Sequence, residues 1–259
     1  MGGIETAPLI VPDAKMDMRY VTLLMGLLCW LHPVSAQVLF SDNFERLELG
    51  RDTWAPPVSW KLKENDTRHE ALGARVLDVW GGGAGVSRAV FPEEFDYYAD
   101  FKAMNGGSLG FVFHAQDTLN FYMHEVSTAG GDHTPLHLRW HRKEGGSWSV
   151  VATRFADAKK WRQNVWYRVK FEVRKDARFR AYLGKVGMPS EELVFVGEWS
   201  DPKRKYQTGK IGFHTWGGNR GAAAHYAQYD NVFITTPEFD SLALEPEAKL
   251  AVTWGRLKQ

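Results

Sequence analysis

The clearest pattern in the chain is a strict alternation of apolar and polar residues over short segments. In residues 109–126 (LGFVFHAQDTLNFYMHEV), two alternating runs flank a polar turn, which is typical of a β-hairpin. Successive side chains of a strand point to opposite faces, so one face of this hairpin should be buried. We expect the inner face to carry Leu109, Phe111, Phe113, Phe121 and Met123. The other face would then present His114, Tyr122 and His124.

The same alternation recurs along the chain. It is sharpest in residues 165–174 (VWYRVKFEVR), where an apolar side opposes a charged one that we expect to be solvated. No helical period of useful length occurs before residue 237. Many short strands separated by Gly-rich turns predict an all-β, two-sheet antiparallel jelly-roll β-sandwich. Further strands are predicted at 38–44, 75–80, 97–104, 136–143, 147–153, 178–183, 193–199, 209–216 and 229–235.

Size and charge narrow the class of protein. A chain of 259 residues with 44% hydrophobic residues can bury a sizeable core, and β-sandwiches commonly use roughly 200–250 residues as one domain. The 32 Lys and Arg nearly balance the 31 Asp and Glu. The net charge therefore does not indicate binding to nucleic acid or to an anionic membrane. The chain also has 11 Trp, and an exposed Trp ring can pack on the apolar face of a sugar.

Residues 1–36 have the pattern of a signal peptide. Arg19 precedes an apolar run at 21–31, and the small-residue ending Val34-Ser35-Ala36 fits a cleavage site. The apolar run is about half the ~20 residues that span a bilayer, so we expect no membrane span in the mature chain. Residues before Met16 or Met18 do not resemble an n-region, and a start codon assigned too far upstream would explain them.

The predicted mature chain lacks cysteine, because the sole cysteine, Cys29, lies within the signal. An exported protein without disulfides favours a bacterial envelope, periplasmic or secreted location. We assign residues 37–236 to the sandwich and residues 237–259 to a charged C-terminal tail. The tail either packs back on the sandwich or attaches to a protein partner.

The order of the strands resembles the concanavalin A-like lectin/glucanase superfamily, and within it the laminin G-like domains of bacterial exported proteins. The motifs that carry the resemblance run from residue 38 to 236: LFSDNF, the hairpin GFVFHAQDTLNFYMHEV, LRWHRKEGGSWSVVA, WYRVKFEVR, GKIGFHTW and YDNVFIT. The resemblance implies two stacked curved sheets with the first and last strands side by side. It also implies that poly- or oligosaccharides bind on or near the concave face.

Eight residues are candidates for a saccharide-binding face. Imidazoles, a guanidinium and a Tyr hydroxyl can bind sugar hydroxyls or a uronate carboxylate, and Trp rings can stack on a pyranose. The alternative is an ordinary wet surface of mixed character. The candidates are Trp80, His114, Tyr122, His124, Arg139, His141, His214 and Trp216.

Two metal sites are considered. Asp42 ends the first strand and Asp230 begins the last, and the resemblance implies that calcium can join such neighbours through hard oxygen ligands. The alternative is that both residues cap turns. His114 and His124 lie on facing strands, but zinc would need further ligands that no spacing announces.

Catalysis is the main rival to binding. A laminarinase-like glycosidase needs two paired carboxylates, and the chain has no E-x-D-x-x-E run to supply them. The motifs of 3-keto-disaccharide hydrolase-like domains match poorly. Glu125 and Asp100 share parity with apolar neighbours, where exposure at a strand end is the expectation. We therefore assign no catalytic residue, and keep a hydrolase or lyase, and a structural or adhesion domain of an envelope assembly, as alternatives.

Overall fold

The computed structural model describes residues 37–57, 59–67, 69, 71–104, 108–127, 137–155, 162–216 and 226–237. The predicted signal peptide, and all of the predicted tail except Pro237, lie outside the described residues. In the part of the chain that the structure describes, no helix is long and apolar enough to cross a bilayer.

Fifteen strands and one 3-10 turn, Ser190–Glu192, make up the described structure. The strands are β1 (Val38–Asp42), β2 (Trp54–Ala55), β3 (Lys61–Glu64), β4 (Arg75–Trp80), β5 (Gly83–Ser87), β6 (Phe95–Ala103), β7 (Ser108–Ala115), β8 (Phe121–Ser127), β9 (His137–Glu144), β10 (Ser147–Phe155), β11 (Trp166–Arg174), β12 (Arg178–Lys185), β13 (Val194–Ser200), β14 (Lys210–Thr215) and β15 (Tyr226–Thr235).

The strands form two antiparallel sheets. The eight-stranded sheet has the order β13-β12-β11-β6-β15-β4-β3, with β1 paired to β15. The seven-stranded sheet has the order β10-β9-β8-β7-β14-β5-β2. The predicted all-β jelly-roll sandwich is confirmed, and β1 and β15 lie side by side as the resemblance implies.

Aromatic rings from both sheets fill the space between them. Phe111 of the seven-stranded sheet lies 5.1 Å from Phe171 and 5.8 Å from Tyr229 of the other sheet, measured between ring centroids. The Phe111–Tyr229 pair is edge-to-face, with an interplanar angle of 88°, and such a pair adds about 0.5–1.5 kcal/mol beyond the burial of area. The alternation in β11 sets the inward row, because Tyr167, Val169, Phe171 and Val173 are all buried. This core fixes which side of each strand faces outward.

Candidate functional site

The register of the β7–β8 hairpin decides which side chains face the core. Phe113 pairs with Tyr122, and Phe111 pairs with His124. Eight residues, an even number, lie between Phe113 and Tyr122. Odd positions of β7 therefore share a face with even positions of β8. The expectation that Phe121 and Met123 join Phe111 on the inner face is wrong, and Tyr122 and His124 take those places.

His124 lies between the two sheets and not on a binding surface. Its side chain is fully buried, with the imidazole centroid 4.3 Å from that of Trp140 and 5.2 Å from that of Phe171. Neither ring nitrogen has a hydrogen-bond partner among the described residues. Burial lowers the pKa of His124 to about 3, so the imidazole is neutral. The predicted outward position of His124 is wrong.

Tyr122 also faces the core. Its hydroxyl donates to Oδ2 of Asp201 at 2.5 Å and accepts the backbone N–H of Tyr206 at 3.0 Å. Both bonds tie β8 to the segment that follows β13. Tyr122 therefore has a structural role in place of the predicted contact with sugar.

His114 is turned inward by an irregularity in its own strand. Its φ of 46° is left-handed, and the pairing of β14 with β7 shifts register at this point. The imidazole consequently lies between Phe95 and Phe179, with Nδ1 3.2 Å from the carbonyl oxygen of Tyr206. Burial lowers its pKa to about 4. The predicted outward position of His114 is wrong.

Trp80 ends β4 and so belongs to the eight-stranded sheet. Its ring is covered by the Lys61 ammonium, 5.0 Å from the ring centroid. It does not join the other candidates on the seven-stranded sheet.

The four remaining candidates, Arg139, His141, His214 and Trp216, meet on the outer face of the seven-stranded sheet. His214 pairs with Gly110, Gly110 pairs with Glu125, and Glu125 pairs with Arg139. His141 pairs with Met123 in the adjacent row. Cross-strand partners share a face, so these pairings place the side chains together. We call the resulting group the outer cluster; it comprises Glu125, His141, Trp148, His214 and Trp216.

Glu125 is the polar centre of the outer cluster. Its Oε2 lies 2.8 Å from Nε2 of His141, and its Oε1 accepts the indole N–H of Trp216 at 3.1 Å. Glu125 is 1% exposed and His141 3% exposed. Burying a polar group without a hydrogen bond costs free energy. The bonds to Glu125 therefore fix the positions of the His141 and Trp216 rings.

Two half-buried indoles cover this centre. Trp148 and Trp216 lie 4.9 Å apart between ring centroids, and His214 lies 5.1 Å from the first and 4.8 Å from the second. Below them the floor is apolar and includes Phe121 and Met123. Gly110 permits this packing, because a Cβ there would lie 2.3 Å from Sδ of Met123. The outcome is an apolar floor under partly exposed rings with buried polar groups between them.

Trp148 and Glu125 belong to the site but were not predicted as site residues. Trp148 lies between Ser147 and Ser149 in β10. This alternation could have predicted that Trp148 lies on one face of the strand and the serines on the other. Glu125 shares its parity with Phe121 and Met123, and this face was taken to be the core. Because the face is outward, Glu125 is a buried acid of the outer cluster and not an exposed strand end.

Asp42 and Asp230 are not arranged as calcium ligands. The Asp42 carboxylate accepts from Arg46 at 2.6 and 2.8 Å, from the Trp54 indole at 2.7 Å and from the Phe44 amide at 2.9 Å. Asp230 accepts two backbone N–H groups, and burial raises its pKa to about 8.

Among the described residues, no group of three or more His, Cys, Asp or Glu could hold a metal ion. Both acids cap backbone turns instead, which was the alternative reading. Asp42 and Asp230 therefore do not fit a shared calcium site.

A separate open depression lies near the β7–β8 turn. It measures about 380 Å³ and is lined by Gln116 and residues 204–208. The Gln116 amide is occupied by the carbonyls of His114 and Thr208. The lining lacks the paired rings of the outer cluster, so the outer cluster is the stronger candidate.

No protein-family model and no curated protein matches the chain. Solved structures do resemble it. Winged bean acidic lectin, complexed with methyl-α-D-galactose, is 11% identical with a TM-score of 0.50, over 78% of this chain and 98% of the lectin. A Shewanella oneidensis protein of unknown function is 12% identical with a TM-score of 0.51, over 90% of this chain and 96% of that one.

The GH43 protein BlXynB from Bacillus licheniformis is 16% identical with a TM-score of 0.52, over 76% of this chain. This chain spans only 39% of the length of BlXynB. At such identities the similarity concerns the fold alone. The chain has a jelly-roll β-sandwich fold.

Proposed function

We propose that this protein binds carbohydrate through the outer cluster. The observation that carries the proposal is the pair of half-buried indoles, Trp148 and Trp216, beside the buried His141, His214 and Glu125. A flat indole packs on the apolar face of a pyranose, and the buried Glu125 holds His141 and the Trp216 indole in position through hydrogen bonds. The lectin and the GH43 protein of the same fold support a saccharide as the ligand.

The outer face of the other sheet gives a contrast that favours this proposal. There the half-buried Arg168, Lys170 and Arg174 each pair with Asp100 or Asp96. That face is a self-neutralised network, as an ordinary solvated face would be. The outer cluster instead gathers rings, which form the usual lining of a small-molecule site.

We also propose that the protein is exported, as a laminin G-like module of a bacterial envelope or secreted protein. The support is the signal-peptide pattern of residues 1–36 and the absence of cysteine after Cys29. Fractionation of the producing cell with an antibody to the protein would test this location. A protein confined to the cytoplasm would contradict it.

A catalytic role is the second candidate, because Glu125 and His141 form a buried acid–imidazole pair at 2.8 Å. Such pairs serve in proton transfer. A glycosidase of the usual kind needs a second carboxylate opposite the first. On the outward side of the described strands of this sheet, Glu125 has no second carboxylate opposite it. Its neighbours there are Phe121, Met123, Arg139 and His141. Binding is therefore the function that the geometry supports best.

The test is a glycan array with the purified protein, followed by titration calorimetry on any glycan that binds. Trp216→Ala and Trp148→Ala should each weaken binding at least about tenfold, as loss of an aromatic anchor does. Trp80→Ala is the matched control on the other sheet and should leave affinity unchanged. Absence of any bound glycan would overturn the proposal. Release of reducing sugar that Glu125→Gln abolishes would favour the enzyme instead.

A further inference from the structure

The outward side of β9 carries a basic row beside the outer cluster. Arg139, His141 and Lys143 occupy alternate positions of the strand and face outward with their partners Glu125, Met123 and Phe121. Alternate residues of an antiparallel strand are ~6.8 Å apart. A row of this spacing can contact successive units of a linear polymer.

The carboxylate of this face is already occupied. One oxygen of Glu125 is bonded to His141 and the other to Trp216. Arg139 is half-buried and lies directly opposite Glu125 in the register, yet it forms no salt bridge with any residue that the structure describes. Its guanidinium therefore keeps its charge available to a ligand.

Lys143 continues the positive charge along the row. It is half-buried, with its ammonium 5.3 Å from the ring centroid of Phe121 and 4.9 Å from that of Trp148. It donates to the carbonyl oxygen of Thr118 at 3.2 Å and has no salt bridge within the described ranges. Lys143 thus places its ammonium over the Trp148 ring, beside the outer cluster.

On β11 of the opposite sheet, by contrast, three half-buried cations are each paired with a carboxylate. Arg168, Lys170 and Arg174 each lie within 3.2 Å of a carboxylate oxygen. A half-buried charge is normally paired, because its partial desolvation is costly. Arg139 and Lys143 depart from this pattern on the same strand and the same face, and an anionic ligand would supply the missing partner.

We propose that the ligand is an acidic polysaccharide whose uronic acid carboxylates bind Arg139 and Lys143 while a sugar ring stacks on Trp148 or Trp216. This inference rests on the proposed function and names its ligand class. Arg matches a carboxylate with two parallel N–H···O bonds, and Lys adds a point charge. Sulfated saccharides share the negative charge but not the planar carboxylate, so the experiment must separate the two.

The experiment measures affinity by calorimetry for polygalacturonate and for the same polymer after chemical reduction of its carboxyl groups. The two polymers differ only at C6 of each unit, where the carboxylate is replaced by a neutral hydroxymethyl group. We expect the acidic polymer to bind at least about tenfold more tightly, with an affinity that falls as salt rises. Dextran sulfate and dextran form the second pair, and we expect polygalacturonate to bind more tightly than dextran sulfate.

Variants locate the contact. Arg139→Met and Lys143→Met keep an unbranched apolar side chain but remove its charge, and should each weaken binding of polygalacturonate about tenfold, without changing binding of the reduced polymer. Arg51→Met and Lys185→Met, at exposed positions outside the row, are the matched controls and should have no effect. Circular dichroism would check that each variant is folded.

The outcomes separate the two proposals. Equal or tighter binding of the reduced polymer would overturn the acidic ligand while leaving a carbohydrate-binding protein. Tighter binding of dextran sulfate would overturn the uronate assignment. If Arg139→Met and Lys143→Met both left the affinity unchanged, the ligand would not contact β9. Failure to bind any polymer here and any glycan on the array would defeat the proposed function itself.

Discussion

His124 and His141 lie on adjacent strands of one sheet, but on opposite faces. His124 pairs in register with Trp140, the neighbour of His141. On the inner face, His124 is packed among rings and has no hydrogen-bond partner among the described residues. On the outer face, His141 is bonded to Glu125. The same side chain thus fills volume on one face and belongs to a polar site on the other, and only the register distinguishes them.

Substitution of a tryptophan on the inner face should mainly reduce stability, and on the outer face should mainly reduce binding. The loss of stability on the inner face is the largest effect that we expect. Trp140 is 1% exposed in the core, so Trp140→Ala should cost about 3–5 kcal/mol of the free energy of unfolding. Trp148 is half-buried, so Trp148→Ala should cost much less while weakening binding of glycan. Urea unfolding measures the first quantity. Equal losses of stability would contradict the assignment of the two faces.

The hydrogen bonds at Glu125 set the second effect. Glu125→Gln removes the charge that faces His141 and leaves one oxygen as acceptor for two donors. Bonds to a buried charged group contribute about 1.5–3 kcal/mol, so we expect a loss of that size in urea unfolding. Glu144→Gln alters an exposed pair with Lys205 and should change stability far less. A neutral Glu125→Gln would show that the pair does not organise the outer cluster.

The positions of most strands and the inward row of β11 could be predicted, because hydrophobic alternation reports burial directly. Tyr167, Val169, Phe171 and Val173 of β11 all face inward as expected. The faces of β8 could not be predicted, since Phe121 and Met123 on one parity are as apolar as Tyr122 and Val126 on the other. The number of residues between paired positions decides that parity, and sequence alone did not fix the pairing.

The errors at individual site residues have similarly local causes. His114 leaves the alternation because its backbone is left-handed at a register shift, and composition does not announce such an irregularity. Arg139, His141, His214 and Trp216 were placed outward correctly, because their strands alternate without interruption up to these positions. Trp148 escaped notice because the rings that surround it come from three other strands, β8, β9 and β14, and from Trp216, which follows β14.

The smallest expected effect is the change in stability when His124 is replaced by leucine. The same replacement of His141, on the outer face, should change stability in the opposite direction. His124→Leu removes unpartnered buried polar atoms and should stabilise the protein by roughly 1–2 kcal/mol at pH 7. His141→Leu should destabilise it, because Glu125 would lose a partner while buried. Thermal unfolding measures both. Destabilisation by His124→Leu together with a neutral His141→Leu would reverse the comparison.

The pH dependence sharpens the same test. The folded pKa of His124, about 3, lies below its ordinary value of 6.5, so the unfolded chain binds the proton more readily between these values. Stability is therefore lost as pH falls from about 6.5 towards about 3, and is fully present above this window. His124→Leu should narrow the difference in stability between pH 7 and pH 5. An unchanged difference would contradict the neutral buried imidazole.

The most direct test of saccharide binding on the outer face is NMR of the indole N–H signals during titration with a glycan that binds, assigned with Trp140→Phe, Trp148→Phe and Trp216→Phe. We predict that the signals of Trp148 and Trp216 shift with saturation, while that of Trp140 on the inner face stays in place. Shifts confined to Trp80 or other indoles outside the outer cluster, with Trp148 and Trp216 unmoved, would contradict the account.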